Sequence, residues 1–341
     1  CSFFIFLCVF TSFRWALSIL YGIVVLQNRG TETTPKTEAH TMKNQNFGIE
    51  IELTGITRED AAKIMAKQLG TDRYYYDGGT YQTWIAVDSQ GRKWKAMYDG
   101  SINPERKDGR NATSEYKCEI VSPICNYEDI ETIQEIVRQL RHKGAIANAS
   151  CGIHVHINAR PHTARSLRNI TNIMASKEDL LFKALGVSAS RASRWCKKVE
   201  NEFVETMNRR KPTSTDAVAR LWYNGNASRA REHYDPSRYH ALNLHAVWQK
   251  GTIEFRCFNG TTHAGKIKTY IQLCLAISHQ AMTQAHSRAA KTVTDNEKYT
   301  FRTWLLRMGL IGDEFETARK FLLENLDGDI AFRNGRPTRV A

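Results

Sequence analysis

Three short segments alternate apolar and polar residues: Phe47-Gly48-Ile49-Glu50-Ile51-Glu52, Gly152-Ile153-His154-Val155-His156-Ile157 and Thr252-Ile253-Glu254-Phe255-Arg256. Residues i and i+2 of a strand share a face, so each segment predicts a strand with one apolar face and one bearing Glu, His or Arg. Strands are also predicted over 82–87 and 93–98, joined by the turn Asp88-Ser89-Gln90-Gly91, and over 117–121, closed by Ser122-Pro123. A helix begins at Thr57-Arg58-Glu59-Asp60 and stops at Gly70. Another, over 128–143, aligns Ile130, Ile133, Ile136, Val137 and Leu140 on one side and ends at Gly144. Residues 163–223 read as helices broken at Gly186 and Pro212, and the basic stretch 224–236 as a mobile loop. Strands are expected again over 239–247 and 252–258, with helices across most of 266–326. Together these elements predict an α+β fold, an antiparallel sheet with flanking helices and a helical insertion over 163–236.

The stretch from Phe3 to Leu26 is almost wholly apolar and long enough to span a bilayer, but Arg14 near its middle would cost about 2.5–3.5 kcal/mol. It has neither a basic n-region nor a small-residue cleavage site, which argues against a signal peptide. The first methionine, Met42, stands five residues before Phe47. The expectation is that residues 1–41 are upstream sequence translated in error, with a membrane anchor as the alternative. Residues 42–341 are then expected to form a single catalytic domain. If the anchor is genuine, Arg29 and Lys36 favour a cytoplasmic position for that domain.

Composition narrows the field only slightly. A chain of 341 residues with 42% apolar content can bury a large core. An excess of 48 Lys+Arg over 35 Asp+Glu, a net charge of +13, favours nucleotide phosphates, nucleic acid or acidic substrates without choosing among them. The eight cysteines form no C-x-x-C pair. They read as reduced thiols serving as small packing residues (Cys118, Cys151 and Cys257 among them), which fits a cytoplasmic location.

Chemistry enters with Glu50, Glu52, Asp99, Glu119, His154, His156 and Glu254, all in or at the ends of predicted strands. Alternation alone produces E-x-E on solvated strand faces, H-x-H occurs as buried hydrogen-bonded histidines, and Glu254 with Arg256 would serve as a structural pair. The joint pattern is more telling: three strands carry complementary ligands on one face and apolar residues on the other. So many carboxylates over-neutralise one Mg²⁺ but suit two or three such ions bridged by phosphates, with the Arg256 guanidinium forking onto a phosphoryl oxygen.

Competing patterns are weaker. Gly260 to Lys266 has the spacing of a P-loop, but Ile267 stands where its metal-binding hydroxyl belongs. His154-Val155-His156 also matches the His-hydrophobe-His core of DNA-nicking nucleases, with Tyr270 as nucleophile, yet Glu50, Glu52, Glu119 and Arg256 would then have no role. A cupin-type site would need a Glu after His156 that Ile157-Asn158-Ala159-Arg160 lacks. A basic nucleic-acid-binding module leaves the acidic cluster unexplained.

In order, FGIEIEL, DGSI, EIVSP, CGIHVHI and TIEFRCFNGT resemble the amidoligase family, from Phe47 to Thr262. That family lies in the superfamily of glutamine synthetase and glutamate–cysteine ligase. The resemblance implies a glutamine-synthetase-like sheet and an ATP-dependent carboxylate–amine ligase acting through an acyl phosphate, with two or three Mg²⁺ (or Mn²⁺) ions. It implies that Glu52, Asp99 and Glu119 hold one ion and that Glu50, His154 and Glu254 hold a second, on the phosphate side. Arg256 then steadies the transferred phosphoryl group, Glu119 stands with it at the reacting centre, Arg238 binds phosphate, and His156 orients ligands. The implied partners are a small-molecule or peptide carboxylate and an amine rather than nucleic acid. A membrane enters only if segment 3–26 is a genuine anchor.

Overall fold

The computed structural model describes residues 41–334; the apolar leader, and with it the reading of the first forty residues as upstream sequence or anchor, lies outside the described residues. In chain order the main elements are β1 (Phe47–Leu53), α1 (Arg58–Gln68), β2 (Tyr74–Gly78), β3 (Thr83–Val87), β4 (Lys93–Met97), β5 (Cys118–Val121), α2 (Asp129–His142) and β6 (Gly152–Asn158). After these come α3 (Ala164–Leu185), α4 (Ala189–Arg194), α5 (Asn201–Arg210), α6 (Thr215–Trp222), β7 (Leu242–Asn243), α7 (His245–Gln249), β8 (Thr252–Asn259), α8 (Ala264–Thr283), α9 (Glu297–Arg307) and α10 (Glu316–Leu323).

The strands form one antiparallel sheet in the order β2-β3-β4-β5-β1-β6-β8-β7. Phe47, Ile49, Ile51 and Leu53 of β1, with Ile153, Val155 and Ile157 of β6, are buried in the core. Against the sheet lie α1, which contacts β3 and β4, and α8, which contacts β1 and β6; α2 packs against both helices. Burial of each such side chain stabilises the fold by about 1.5–3 kcal/mol, and a one-residue slip of β1 would turn its carboxylates into that core. Thr57 caps α1 by accepting from the Asp60 amide, and Gly186 closes α3 in the left-handed region at φ 61°. Both ends match their sequence signals.

Three segments depart from expectation. Residues 74–78 form an edge strand held by Tyr74 and Tyr76 against Trp84, at ring separations of 6.1 and 5.3 Å. Of the strand expected over 239–247, only Leu242–Asn243 pairs with β8. The Asn243 carbonyl Oδ1 accepts from the His245 amide (2.9 Å), which starts α7 instead. The Asn243 side chain thus makes a local turn to the backbone two residues on, where the strand ends. The stretch 224–236 contains the 3₁₀ turn Ala227–Arg231 and leads into another, Pro236–Arg238. Arg229 fixes it by donating to both oxygens of buried Asp235, at 2.7 and 2.9 Å. Among the described residues no helix is long and apolar enough to cross a membrane.

Candidate active site

Strand register assembles the site. Glu52 of β1 lies opposite Glu119 of β5, Glu50 opposite His154 of β6, and His156 opposite Glu254 of β8. One row of functional side chains therefore crosses β5-β1-β6-β8 on the face away from α8. A bulge shifts the β6–β8 pairing between Ile153 and Val155. Arg256 nevertheless remains on the ligand face, with Nη1 2.5 Å from Glu254 Oε1. Asp99, just beyond β4, completes the row and accepts from both the amide and the hydroxyl of Ser101 at 2.6 Å.

All of these groups except His156 line a cleft of about 670 Å³. Its roof is the loop before β7, where the Tyr234 and Tyr81 hydroxyls meet at 2.7 Å across the cleft mouth. The Arg238 guanidinium lies over the rings of Tyr234 and Tyr239, at 5.7 and 5.6 Å, and Arg256 lies 5.9 Å from the Tyr239 ring. The roof thus holds Arg238 in the cleft wall beside the acidic cluster.

Three sets of donor atoms converge, the members of each within 4.8 Å of one another: Glu52, Asp99 and Glu119; Glu50, Glu119 and His154; and Glu50, His156 and Glu254. Both imidazoles reach the Glu50–Glu254 pair. His154 Nδ1 is 3.0 Å from Glu50 and 3.7 Å from Glu254, while His156 Nε2 is 3.2 and 3.7 Å from the same residues. His156 Nε2 is buried and makes no hydrogen bond, and its Nδ1 is engaged by the Thr252 hydroxyl at 2.9 Å. An imidazole held at one nitrogen and aimed with the other at two carboxylates is arranged as a metal ligand.

The electrostatics agree with that arrangement. Burial, then Asp99, push the Glu52 carboxyl up to about 7, against the pull of Arg191, the Gly152 amide and Arg256. Burial likewise raises Glu119 well above the carboxylate range, with Glu50, Glu52 and Asp99 adding to it. Burial would raise Glu254 too, but Arg256 and His156 more than offset it and hold the carboxyl low. His154 is pushed down to about 4 by burial and by Arg256, so its ring is neutral. Crowded carboxylates that repel one another beside the neutral imidazole of His154 are a donor set that fits hard divalent cations.

The structure places Glu50, Glu52, Asp99, Glu119, His154, Glu254, Arg238 and Arg256 around one cleft, but the second ligand set differs from the one expected: His156 joins Glu50 and Glu254, and His154 groups with Glu50 and Glu119. Two participants carry no sequence signal. Asn243 donates to Glu254 Oε2 at 2.5 Å from the short strand β7. Lys250, in the turn before β8, places its ammonium 2.9 Å from Glu50 Oε1. Burial alone would depress that ammonium, but Glu50, with Glu254 and Glu119, raises it instead. Lys250 thus sits on a carboxylate that a divalent cation would claim. Lys250→Met is expected to tighten Mn²⁺ binding about fivefold, the worth of one partly exposed ion pair, in a calorimetric titration. Unchanged affinity would mean that the lysine does not compete with the ion.

The other motifs lie apart from the cleft. Tyr270 is buried on α8, stacked on Phe258 at 4.3 Å in the core, so it is not placed to act beside His154 and His156. Lys266 pairs with Glu324 at 2.9 Å, and His263 caps α8. The described cysteines Cys118, Cys125, Cys151, Cys196, Cys257 and Cys274 are free and buried.

Residues 43–278 match a family model described as "putative amidoligase enzyme". No curated protein matches the chain. Among solved structures, a bifunctional glutathione synthetase from Pasteurella multocida is similar at 12% identity and a TM-score of 0.37, over 82% of this chain and 47% of that one. The chain therefore spans about half the length of that enzyme, and a likeness at this level carries no functional argument.

Proposed function

The chain belongs to the amidoligase family, matched over residues 43–278, and from that premise we propose that it is an ATP-dependent carboxylate–amine ligase with a glutamine-synthetase-like sheet. In this reading residues 42–341 are the catalytic unit, residues 163–236 are its helical insertion, and the enzyme works in the cytoplasm. The observation that carries the proposal is the convergence of three ligand sets on one sheet face, beside a cleft whose lining includes Arg238 and Arg256.

A carboxylate is a poor electrophile. Transfer of the γ-phosphoryl group of ATP to a carboxylate oxygen yields ADP and an acyl phosphate; an amine then attacks the acyl carbon, phosphate leaves, and an amide or isopeptide bond results. Glu52, Asp99 and Glu119 would hold one Mg²⁺, and Glu50 and Glu254 with an imidazole another; such ions neutralise the phosphates of the bound nucleotide. Arg256 forks onto the moving phosphoryl group and Arg238 onto the nucleotide phosphates. The Tyr81–Tyr234 roof helps to keep water from the acyl phosphate while the amine is positioned.

The test is ADP formation by the full chain against panels of amino acids and short peptides, with Mg²⁺ or Mn²⁺. ADP, phosphate and amide should appear in equal amounts and only when carboxylate, amine and divalent cation are all present. Absence of ADP across the panel with either metal would count against the ligase.

A further inference from the structure

Arg191 has no role in the mechanism above, yet it is among the least exposed cationic side chains of the cleft, at 6%. It comes from α4, far in sequence from the ligand strands, and its guanidinium is folded inward beside Glu52 and Arg256. Nη1 donates to the Cys151 carbonyl at 3.2 Å and Nη2 reaches the Arg256 carbonyl at 3.5 Å, while the buried Nε has no partner. Glu52 is the carboxylate whose charge it faces, and the two attract. A guanidinium stays charged at any physiological pH, and a buried N–H of it without an acceptor is costly.

The chain has made room for that side chain. A Cβ placed on Gly152 would lie 1.9 Å from Arg191 Nη2 and 2.6 Å from its Cζ. Gly152 does not have a positive φ, so its backbone does not require glycine. The Gly152 amide also donates to Glu52 Oε2 at 2.6 Å, which seats the guanidinium next to that carboxylate. A side chain at position 152 would therefore have to displace the Arg191 guanidinium from where it sits.

We infer that Arg191 is the anion-holding residue of a substrate subsite at the Glu52 end of the cleft, and that it binds a carboxylate of the acyl-donor substrate. The inference rests on the ligase reading for the identity of that substrate. It does not rest on it for the anion, for which the buried Nε without a partner and the place of the guanidinium in the cleft wall speak by themselves. Phosphate oxygens offer the same chemistry, but Arg238 and Arg256 already serve the nucleotide in that reading, so the carboxylate is the source assigned to Arg191.

The experiment uses the full chain labelled with ¹⁵N-arginine. The Nε–H resonance lost in Arg191→Lys identifies Arg191. Adding malonate, a minimal dicarboxylate, should shift that resonance saturably. Arg191→Gln and Gly152→Ala should each weaken malonate binding about tenfold or more, the loss of a charge-assisted hydrogen bond, in a calorimetric titration. If Gly152→Ala does not fold, Arg191→Gln carries the test alone. A shift with inorganic phosphate but none with malonate would overturn the carboxylate assignment in favour of the nucleotide. No shift with either anion would overturn the subsite. None of these readouts needs turnover, so they remain decisive if no panel compound yields ADP, a result that would count against the ligase and not against the anion site.

Discussion

Replacing Arg256 by alanine is expected to lower turnover about 10²–10³-fold and to destabilise the fold by about 3–5 kcal/mol. The two losses have different causes. Turnover falls because a fork of donors aimed at a developing negative charge is removed. Stability falls because Glu254, 3% exposed, loses the guanidinium that lies 2.5 Å from it and becomes a buried carboxylate with only Asn243 and the imidazoles nearby. Arg256→Lys separates them: the ammonium still meets Glu254, so most of the stability should return, whereas the planar fork and most of the turnover should not. Urea unfolding and ADP release, both measured below every variant's thermal midpoint, provide the check. A lysine variant with full turnover would remove Arg256 from phosphoryl transfer and leave it a structural partner of Glu254.

Glu52→Gln should make the metal-free chain more stable than the parent at pH 8, and the gap should close on acidification. Glu52 itself sets the sign. Its carboxyl is raised from the ordinary 4.5 to about 7 in the fold. The stabilisation from its protonated form is complete below pH 4.5 and is lost as pH rises through 7. Across that window the parent loses about 3 kcal/mol relative to a neutral glutamine, which retains an acceptor for the Gly152 amide. His154 Nε2 lies 3.8 Å from Glu52 Oε1 and Glu119 is raised in part by Glu52, so the difference between the two profiles reports Glu52 together with these neighbours. Mn²⁺ should reverse the order at pH 8, because the parent keeps a carboxylate beside Asp99 and Glu119 to hold the ion and the variant does not. Coincident curves in chelator from pH 5 to 8 would show that the acidic cluster carries no such strain.

Much of this site was legible because a strand has a period of two. In FGIEIEL, GIHVHI and TIEFR the apolar partners identify the core face, and the residues between them are then committed to the other. The strands 83–87, 93–97 and 118–121 were legible for similar reasons, from turns and apolar runs. Asn243 was less legible: one side chain that both accepts from the His245 amide and supports Glu254 breaks the alternation that marks its neighbours. The edge strand at 74–78 has only tyrosines to signal it, and those are read through their contact with Trp84.

By itself the sequence determined which side chains share a face and the chemical type of the donors. Both come from spacing along a few residues. Only the tertiary structure decided the register that sets Glu52 against Glu119 and lets both imidazoles reach Glu50 and Glu254. It also decided that Lys250 sits on Glu50, that Tyr234 closes onto Tyr81, and that Arg191 fills the space left by Gly152. Those contacts join residues that no local period relates, so their energies depend on how the whole chain packs.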